Sequence, residues 1–454
     1  MAADSPARRP APLRASALAA ALVLVAPLLA SCVPAARPGT LPTTLVMEDH
    51  GGQPIPVQNG IPVPTFDAQP RPRITLSGPW RVERLRLRSG LSLTDRRESL
   101  PDILEEAAGR QRTDYDDGDW ETLQVPGSLN PPPLGETGGW YRRTFFVPSG
   151  WAGTVTTLKF GAVNYLADVW INGEHVGYHE GGYTPFAFDV STFLRPGAAN
   201  QIAVRVDNPP WGTRNDIVPW GLADWWNYGG ITQPVWIEST PPVHLVRADV
   251  VPHLDGVDIS VTLRHAEAVV SEEPTGSPSP QGEEPTPAAS SVRPEEAEDQ
   301  GEPVVRVEIL GAEVRPDNLG DPQALSLADT DARAVVDDEL ELPEVDPGAI
   351  ATIETGFLLG DPERWSPAQP ALYVLHVALA GEGVAADDLW TTFGMRHVAV
   401  DPQQALIRLN ATPVAFTGVG LHDEVIVADP SGAVELLSAS RVHSVEPLLE
   451  QLER

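Results

Sequence analysis

The stretch "VWINGEHVGYHEGGYTPFAFDV" (residues 169–190) decides the fold. Asn172-Gly173 stands between two runs rich in β-branched and aromatic residues. A two-residue type I′ turn needs positive φ at both central positions, which Asn-Gly supplies, so the stretch reads as a β-hairpin. Outward from it lie "WYRRTFFV" (140–147), "TVTTLKFG" (154–161), "YLADVWING" (165–173) and "QIAVRVDN" (201–208). These are short strand-like runs without helical periodicity between them, which argues a β-sandwich over residues 73–240. One helical turn is expected near residues 101–108.

A second β region spans residues 241–400. Its strands are "VDISVTLR" (257–264), "PVVRVEIL" (303–310), "AIATIETGFLL" (349–359) and "ALYVLHVAL" (371–379). Size and strand count suit an immunoglobulin-like sandwich. Residues 271–302 interrupt it with nine acidic residues, many Pro and Ser, and almost no large apolar side chain. Such a segment cannot bury enough surface to order itself, so a disordered loop is expected there. After residue 401, "ALIRLN" and "PVAFTG" form a hairpin-like pair around Ala411-Thr412. From residue 433 the spacing of Leu436, Leu437, Val442, Val445, Leu448, Leu449 and Leu452 is helical, with Pro447 kinking that helix or starting a new one.

The chain has 454 residues, enough for about two or three domains. Its formal charge of −32 argues against a nucleic-acid partner, because a phosphate-binding surface must be basic. Arg8, Arg9 and Arg14 precede an apolar stretch, residues 17–29, that is too short for an ordinary membrane span. It ends in Leu29-Ala30-Ser31-Cys32, and Cys32 is the only cysteine. That resembles a bacterial lipobox, so residues 1–32 are read as a lipoprotein signal with Cys32 as the lipidation site. The expected location is exported, lipid-anchored on the outer face of the cytoplasmic membrane. Residues 33–72 carry nine prolines and read as an extended tether between lipid and first domain, with packing of some of it on that domain left open.

Residues 169–190 together with "WETLQVPGSLN" (120–130), "GGWYRRTFFVP" (138–148), "VRVDN" (204–208) and "DWWNYGGITQPVWI" (224–237) resemble the sugar-binding domain of glycoside hydrolase family 2. This is the β-galactosidase, β-glucuronidase and β-mannosidase family. "ERWSPAQPALY" (363–373) and "TTFGMRHVAV" (391–400) resemble the end of its immunoglobulin-like domain. "LIRLNATPVAFTGVGLHDE" (406–424) looks like the entry into its (β/α)₈ barrel. The fold this implies is all-β: a galactose-binding-like jelly-roll sandwich, then an immunoglobulin-like sandwich, with a truncated barrel start over residues 401–454. The expected partner is a β-glycoside carbohydrate, and no cofactor is expected.

The resemblance implies two barrel glutamates, one a general acid/base and the other a nucleophile. Retaining hydrolysis needs their carboxyl groups about 5–5.5 Å apart. A barrel takes about 250 residues, and 30 follow Glu424. Glu435, Glu446 and Glu450 match neither family motif, so no catalytic residue is assigned. The polypeptide is expected to be inactive alone, with a separate chain carrying the barrel as a candidate partner. Asp224 is the foremost substrate-binding candidate, since it heads a loop that in the family reaches the barrel pocket. His422 and Asp423 are further candidates, although the family has His-Glu where this chain has His-Asp-Glu. Neighbouring residues of an extended segment alternate in direction, which argues against His422, Asp423 and Glu424 converging on one point. His175, His179 and Glu180 surround a hairpin and lack the helical spacing of a His-Glu-x-x-His metal site, so no metal is expected. Two functions stay open: part of a lipid-anchored β-glycosidase, or a non-catalytic carbohydrate-binding surface lipoprotein.

Overall fold

The computed structural model describes residues 41–50, 52–130, 138–209, 228–267, 302–311, 334–404, 406–415, 426–428 and 434–436. The described chain opens with β1 (Leu45–His50), β2 (Gln53–Gln58) and β3 (Ile61–Pro62), an antiparallel sheet in that order. This corrects the tether reading for residues 41–72. Leu41, Ile55, Val57 and Ile61 are buried, as are Gln69 and Arg71. The segment is a strap over both sandwiches. Asn59 Nδ2 donates to Ala187 O, Thr65 N to Val246 O, and Gln69 exchanges two hydrogen bonds with the backbone of Trp390. Within β2, Ile55 and Val57 alternate into the core as strand residues do.

The first sandwich uses β4 (Arg73–Thr75), β5 (Gly78–Leu85), α1 (Ser89–Ser92), α2 (Arg96–Ala107), β6 (Glu121–Val125), β7 (Gly138–Val147), β8 (Val155–Phe160), β9 (Val163–Asn164), β10 (Leu166–Ile171), β11 (Glu174–Glu180), β12 (Phe186–Asp189), β13 (Ala198–Asp207), β14 (Gly230–Ile231) and β15 (Val235–Thr240). A six-stranded sheet, β11-β10-β13-β7-β5-β6, faces a four-stranded one, β12-β8-β15-β4. Ile171 pairs with Glu174 across the Asn172-Gly173 turn, whose φ values are +51° and +89°. All six residues of β10 are buried because both its faces are covered. Ala167, Val169 and Ile171 enter the inter-sheet core, while Trp170 joins Trp140, Ile103 and Ala107 beneath α2. That helix begins at Arg96, before the expected turn at 101–108, because the Asp95 side chain caps the N–H of Arg97.

The second sandwich contains β16 (Val243–Pro252), β17 (Gly256–His265), β18 (Val304–Leu310), β19 (Ala334–Glu341), β20 (Ile350–Leu358), β21 (Tyr373–Ala380) and β22 (Asp387–Phe393). Sheets β16-β17-β20 and β19-β18-β21-β22 enclose Leu245, Ile259, Val261, Val307, Leu375, Val377 and Leu389. Three strands against four is the count of an immunoglobulin-like sandwich. Of the expected disordered loop, residues 271–301 lie outside the described residues.

β23 (Val398–Asp401), β24 (Leu406–Leu409) and β25 (Thr412–Val414) form a final three-stranded sheet. Its hairpin turns at Asn410-Ala411, with φ of +50° and +69°, one residue before the expected position. Asparagine tolerates the left-handed region better than threonine, which accounts for the shift. β26 (Ile426–Ala428) pairs antiparallel with β27 (Val434–Leu436). Residues 434–436 are therefore strand, not the helix their spacing suggested: antiparallel pairing with residues 426–428 overrides the periodicity. The strand-to-helix unit expected at the barrel start is not among the described residues.

Candidate functional site

Asp224 falls in residues 210–227, outside the described residues, as do His422, Asp423, Glu424, Cys32, Trp225 and Trp226. The two stems of the Asp224 segment are described. Both lie at the end of the first sandwich opposite the Asn172-Gly173 turn. One stem is the end of β13, Asp207 and Asn208. The other is Tyr228-Gly229-Gly230, which leads into β14.

The second stem is tightly packed. Asn130 is fully buried, and its Oδ1 accepts from Gly229 N at 2.6 Å. Asn164, 3% exposed, donates through Nδ2 to Tyr228 O. Leu129 N donates to Gly229 O at 2.7 Å, and Gly230 pairs with Asn164 across β9 and β14. Gly230 has φ +120°, and a Cβ there would sit 2.7 Å from Tyr141 Oη and 2.8 Å from Leu129 N. A Cβ on Gly229 would lie 2.7 Å from the Asn208 side chain, and one on Gly182 would lie 2.4 Å from Asn164 Oδ1. Only glycine permits backbone and asparagines to approach so closely.

The first stem is held by charge. Asp207 accepts from Ser89 Oγ at 3.1 Å and from Ser92 Oγ, and its burial pushes its carboxyl above the usual range. Neighbouring Arg205 forks onto Glu106 Oε1 at 2.7 and 2.9 Å. Asp168 is fully buried; burial alone would raise its pKa, but Arg96 foremost, with His175 and Arg205, takes it down to about 2. His175 Nε2 lies 3.5 Å from Asp168. His179 instead stacks on Phe186 with ring centroids 4.1 Å apart, and burial lowers its pKa to about 4. The two histidines therefore turn to different partners. Among the described residues, no group of three His, Cys, Asp or Glu could hold a metal ion.

A polar cleft runs where strap and sandwiches meet, lined by Arg71, Lys159, Glu238, His244 and Arg264 among others. Its cations are matched within the chain: Arg71 to Asp387, Lys159 to Glu238, and Arg264 to Asp189. Such a cleft is a charge-balanced seam between domains.

The description "Glycosyl hydrolases family 2, sugar binding domain" matches residues 105–241, and "Glycosyl hydrolases family 2" matches residues 293–396. The chain belongs to glycosyl hydrolase family 2. The family 2 chain is 26% identical over 289 residues to a β-glucuronidase of Bacteroides fragilis, covering 63% of this chain and 35% of that protein. It is 34% identical over 155 residues to a β-galactosidase of Thermoanaerobacter pseudethanolicus, covering 32% of this chain and 20% of the relative. A crystal structure of Bacteroides uniformis β-glucuronidase shares the fold, with a TM-score of 0.54 at 19% identity, over 78% of this chain and 36% of that one. The family 2 chain thus spans well under half the length of these relatives.

Sequence reading singled out Asp224 but missed Asn130, Asn164 and Asn208. The doublets Gly181-Gly182 and Gly229-Gly230 were the available signal. Each marks a place where backbone meets an asparagine side chain, which no local pattern names.

Proposed function

We propose that this family 2 protein is the sugar-binding part of a β-glycosidase, acting on O-glycosyl bonds of β-glucuronides or β-galactosides. The observation that carries the reading is the sugar-binding match over residues 105–241, with the Asp224 segment set between two rigid stems inside it. Asp224 is assigned to the sugar, accepting hydrogen bonds from paired hydroxyls. His422 and Asp423 line the same pocket once a barrel is present. Two barrel glutamates supply the acid/base and the nucleophile. Cys32 is proposed as the lipid anchor that keeps the protein on the outer face of the membrane.

The test is an assay with aryl β-glucuronides, β-galactosides and β-mannosides. The 454-residue polypeptide alone is expected to give no turnover. Joined to a family barrel, in cis or as a second chain, it is expected to turn over one of the first two. Asp224→Ala should then cost about 1.5–3 kcal/mol in kcat/KM, the scale of one charge-assisted hydrogen bond. Turnover by the polypeptide alone, abolished by changing one of its own carboxylates, would refute the assignment of catalysis to a barrel. Tight sugar binding that survives Asp224→Ala would favour the non-catalytic surface lipoprotein.

A further inference from the structure

We infer that residues 59–72 of the strap are a splint: they fix the angle between the two sandwiches, which without them pivot where Thr240 meets Pro241. The inference goes beyond the sugar-binding reading and does not depend on it. Its centre is Thr65. Thr65 N donates to Val246 O of the second sandwich at 3.1 Å, and Thr65 O accepts from Lys159 Nζ of the first at 2.8 Å. The Lys159 side chain is 1% exposed and also meets Glu238 at 2.6 Å. One strap residue thus bridges both bodies at a buried point.

The second sandwich is built to receive the strap. β16 is an edge strand, and its register with β17 slips at Val246. A bulge leaves its extra residue outside the ladder, so the backbone there needs other partners. The strap supplies them. Thr65 N takes Val246 O, and Arg71 Nη2 donates to the neighbouring Leu245 O at 2.7 Å. Gln69 donates to Trp390 O at 3.0 Å and accepts from Trp390 N at 2.7 Å. Arg247 Nη1 reaches Val63 O at 3.4 Å. On the other side, Asn59 Nδ2 donates to Ala187 O, Ser239 N donates to Pro72 O at 2.9 Å, and Phe66 meets the Trp236 ring edge to face.

Little else sets the angle. Pro241-Pro242 links β15 to β16, and Pro242 O accepts from Ala266 N, which ties it to the second sandwich. Proline fixes φ, so the soft torsions of the link are the ψ angles of Thr240 and Pro241. A hinge needs only a few such residues. Among the described residues, the polar contact that joins the sandwiches directly is Arg264 to Asp189 at 2.8 Å, with side chains 17% and 26% exposed. A partly exposed pair of this kind holds weakly. The strap ties are buried, and those of Arg71 and Lys159 are charge-assisted, which makes them the stronger set.

The experiment measures the distance distribution between spin labels on the full chain by double electron–electron resonance. Labels go on Thr144→Cys in β7 and Glu354→Cys in β20, both exposed, in a Cys32→Ser background. With the strap intact the distribution should be narrow. The strap's grip on the second sandwich is released by combining Gln69→Ala, Arg71→Met and Asp387→Asn, which leaves no unpaired buried charge. That variant should widen the distribution about twofold or more, as a freed hinge does. Hydrogen exchange should still show protected strands at residues 166–171 and 304–310, so that each sandwich is folded while the pair articulates. Gln69→Ala alone, which removes no charge, should widen the distribution less. Arg264→Ala is the control and should leave it narrow. Unchanged width in the combined variant with both cores protected would overturn the splint, as would equal widening in Arg264→Ala. If the combined variant loses core protection, Gln69→Ala decides: widening supports the splint, and an unchanged width overturns it.

Discussion

Arg71→Ala should destabilise this protein more than any surface charge change, and in a pH-dependent way. Arg71 sits in the strap, and its side chain is 5% exposed; that of Asp387, at the start of β22, is 2% exposed. The guanidinium forks onto the carboxylate at 2.8 and 2.9 Å and donates to Leu245 O at 2.7 Å. Asp387 also accepts from Leu245 N at 2.8 Å. Removing the arginine leaves a buried carboxylate with one backbone N–H, which costs about 3–5 kcal/mol. At about 2–4 °C per kcal/mol for a domain of this size, melting should fall by roughly 6–20 °C. Burial already holds the Asp387 carboxyl above the ordinary range even beside Arg71. Without Arg71 it rises further. A carboxyl raised in the folded state contributes stability below its unfolded pKa and loses it as pH rises through its folded value. The difference between variant and wild type should therefore be largest at neutral pH and shrink toward pH 5. Arg71→Ala combined with Asp387→Asn should recover much of the loss, because the amide keeps an acceptor for Leu245 N–H. Urea and thermal unfolding between pH 5 and 7.5 check this. A loss under about 1 kcal/mol at pH 7, below the buried-pair range, would refute the reasoning, as would a difference that does not change with pH.

Burial takes His244 down to about 3 and His179 to about 4, so both stay neutral when folded and charge when unfolded. Their stabilisation is present above about pH 6.5 and should fall by about 1.4 kcal/mol per pH unit for each as pH drops toward those values; His244→Gln and His179→Gln should each flatten the unfolding profile. Cys32→Ser should shift the protein from membrane to soluble fractions, and unchanged fractionation would remove the lipid anchor from the proposal. Replacing residues 271–301 with a short Gly/Ser bridge should leave melting within about 2 °C, since closure entropy varies slowly with loop length; a larger fall would mean that the segment packs.

The strands were legible because both sandwiches obey simple local rules. Asn172-Gly173 gives its turn away, and Val307, Ile309, Leu375 and Val377 alternate as half-buried strands must. The start of α2 was missed because Asp95 lies in a charged run without apolar periodicity. The strap was misread because nine prolines outweighed the alternation of Ile55 and Val57. Pairings such as Arg71 with Asp387 join residues 316 positions apart, and no local window contains both. The candidate site divides in the same way. Asp224 was singled out from a loop pattern and lies outside the described residues, whereas the packing of Asn130, Asn164 and Asn208 against Gly229 and Gly182 depends on strand ends meeting in space.

The strap has a consequence for where this protein can work. Leu41, nine residues after Cys32, is buried, and its N–H is bonded to Leu93 O. A chain that short spans at most about 30 Å when fully drawn out. A forty-residue tether would have allowed about 140 Å. With lipid on Cys32, the first sandwich would graze the bilayer as a near-surface body on a short leash. Under the proposed anchor and function, a glycan would have to arrive at the membrane, because a leash of that length could not reach out for it.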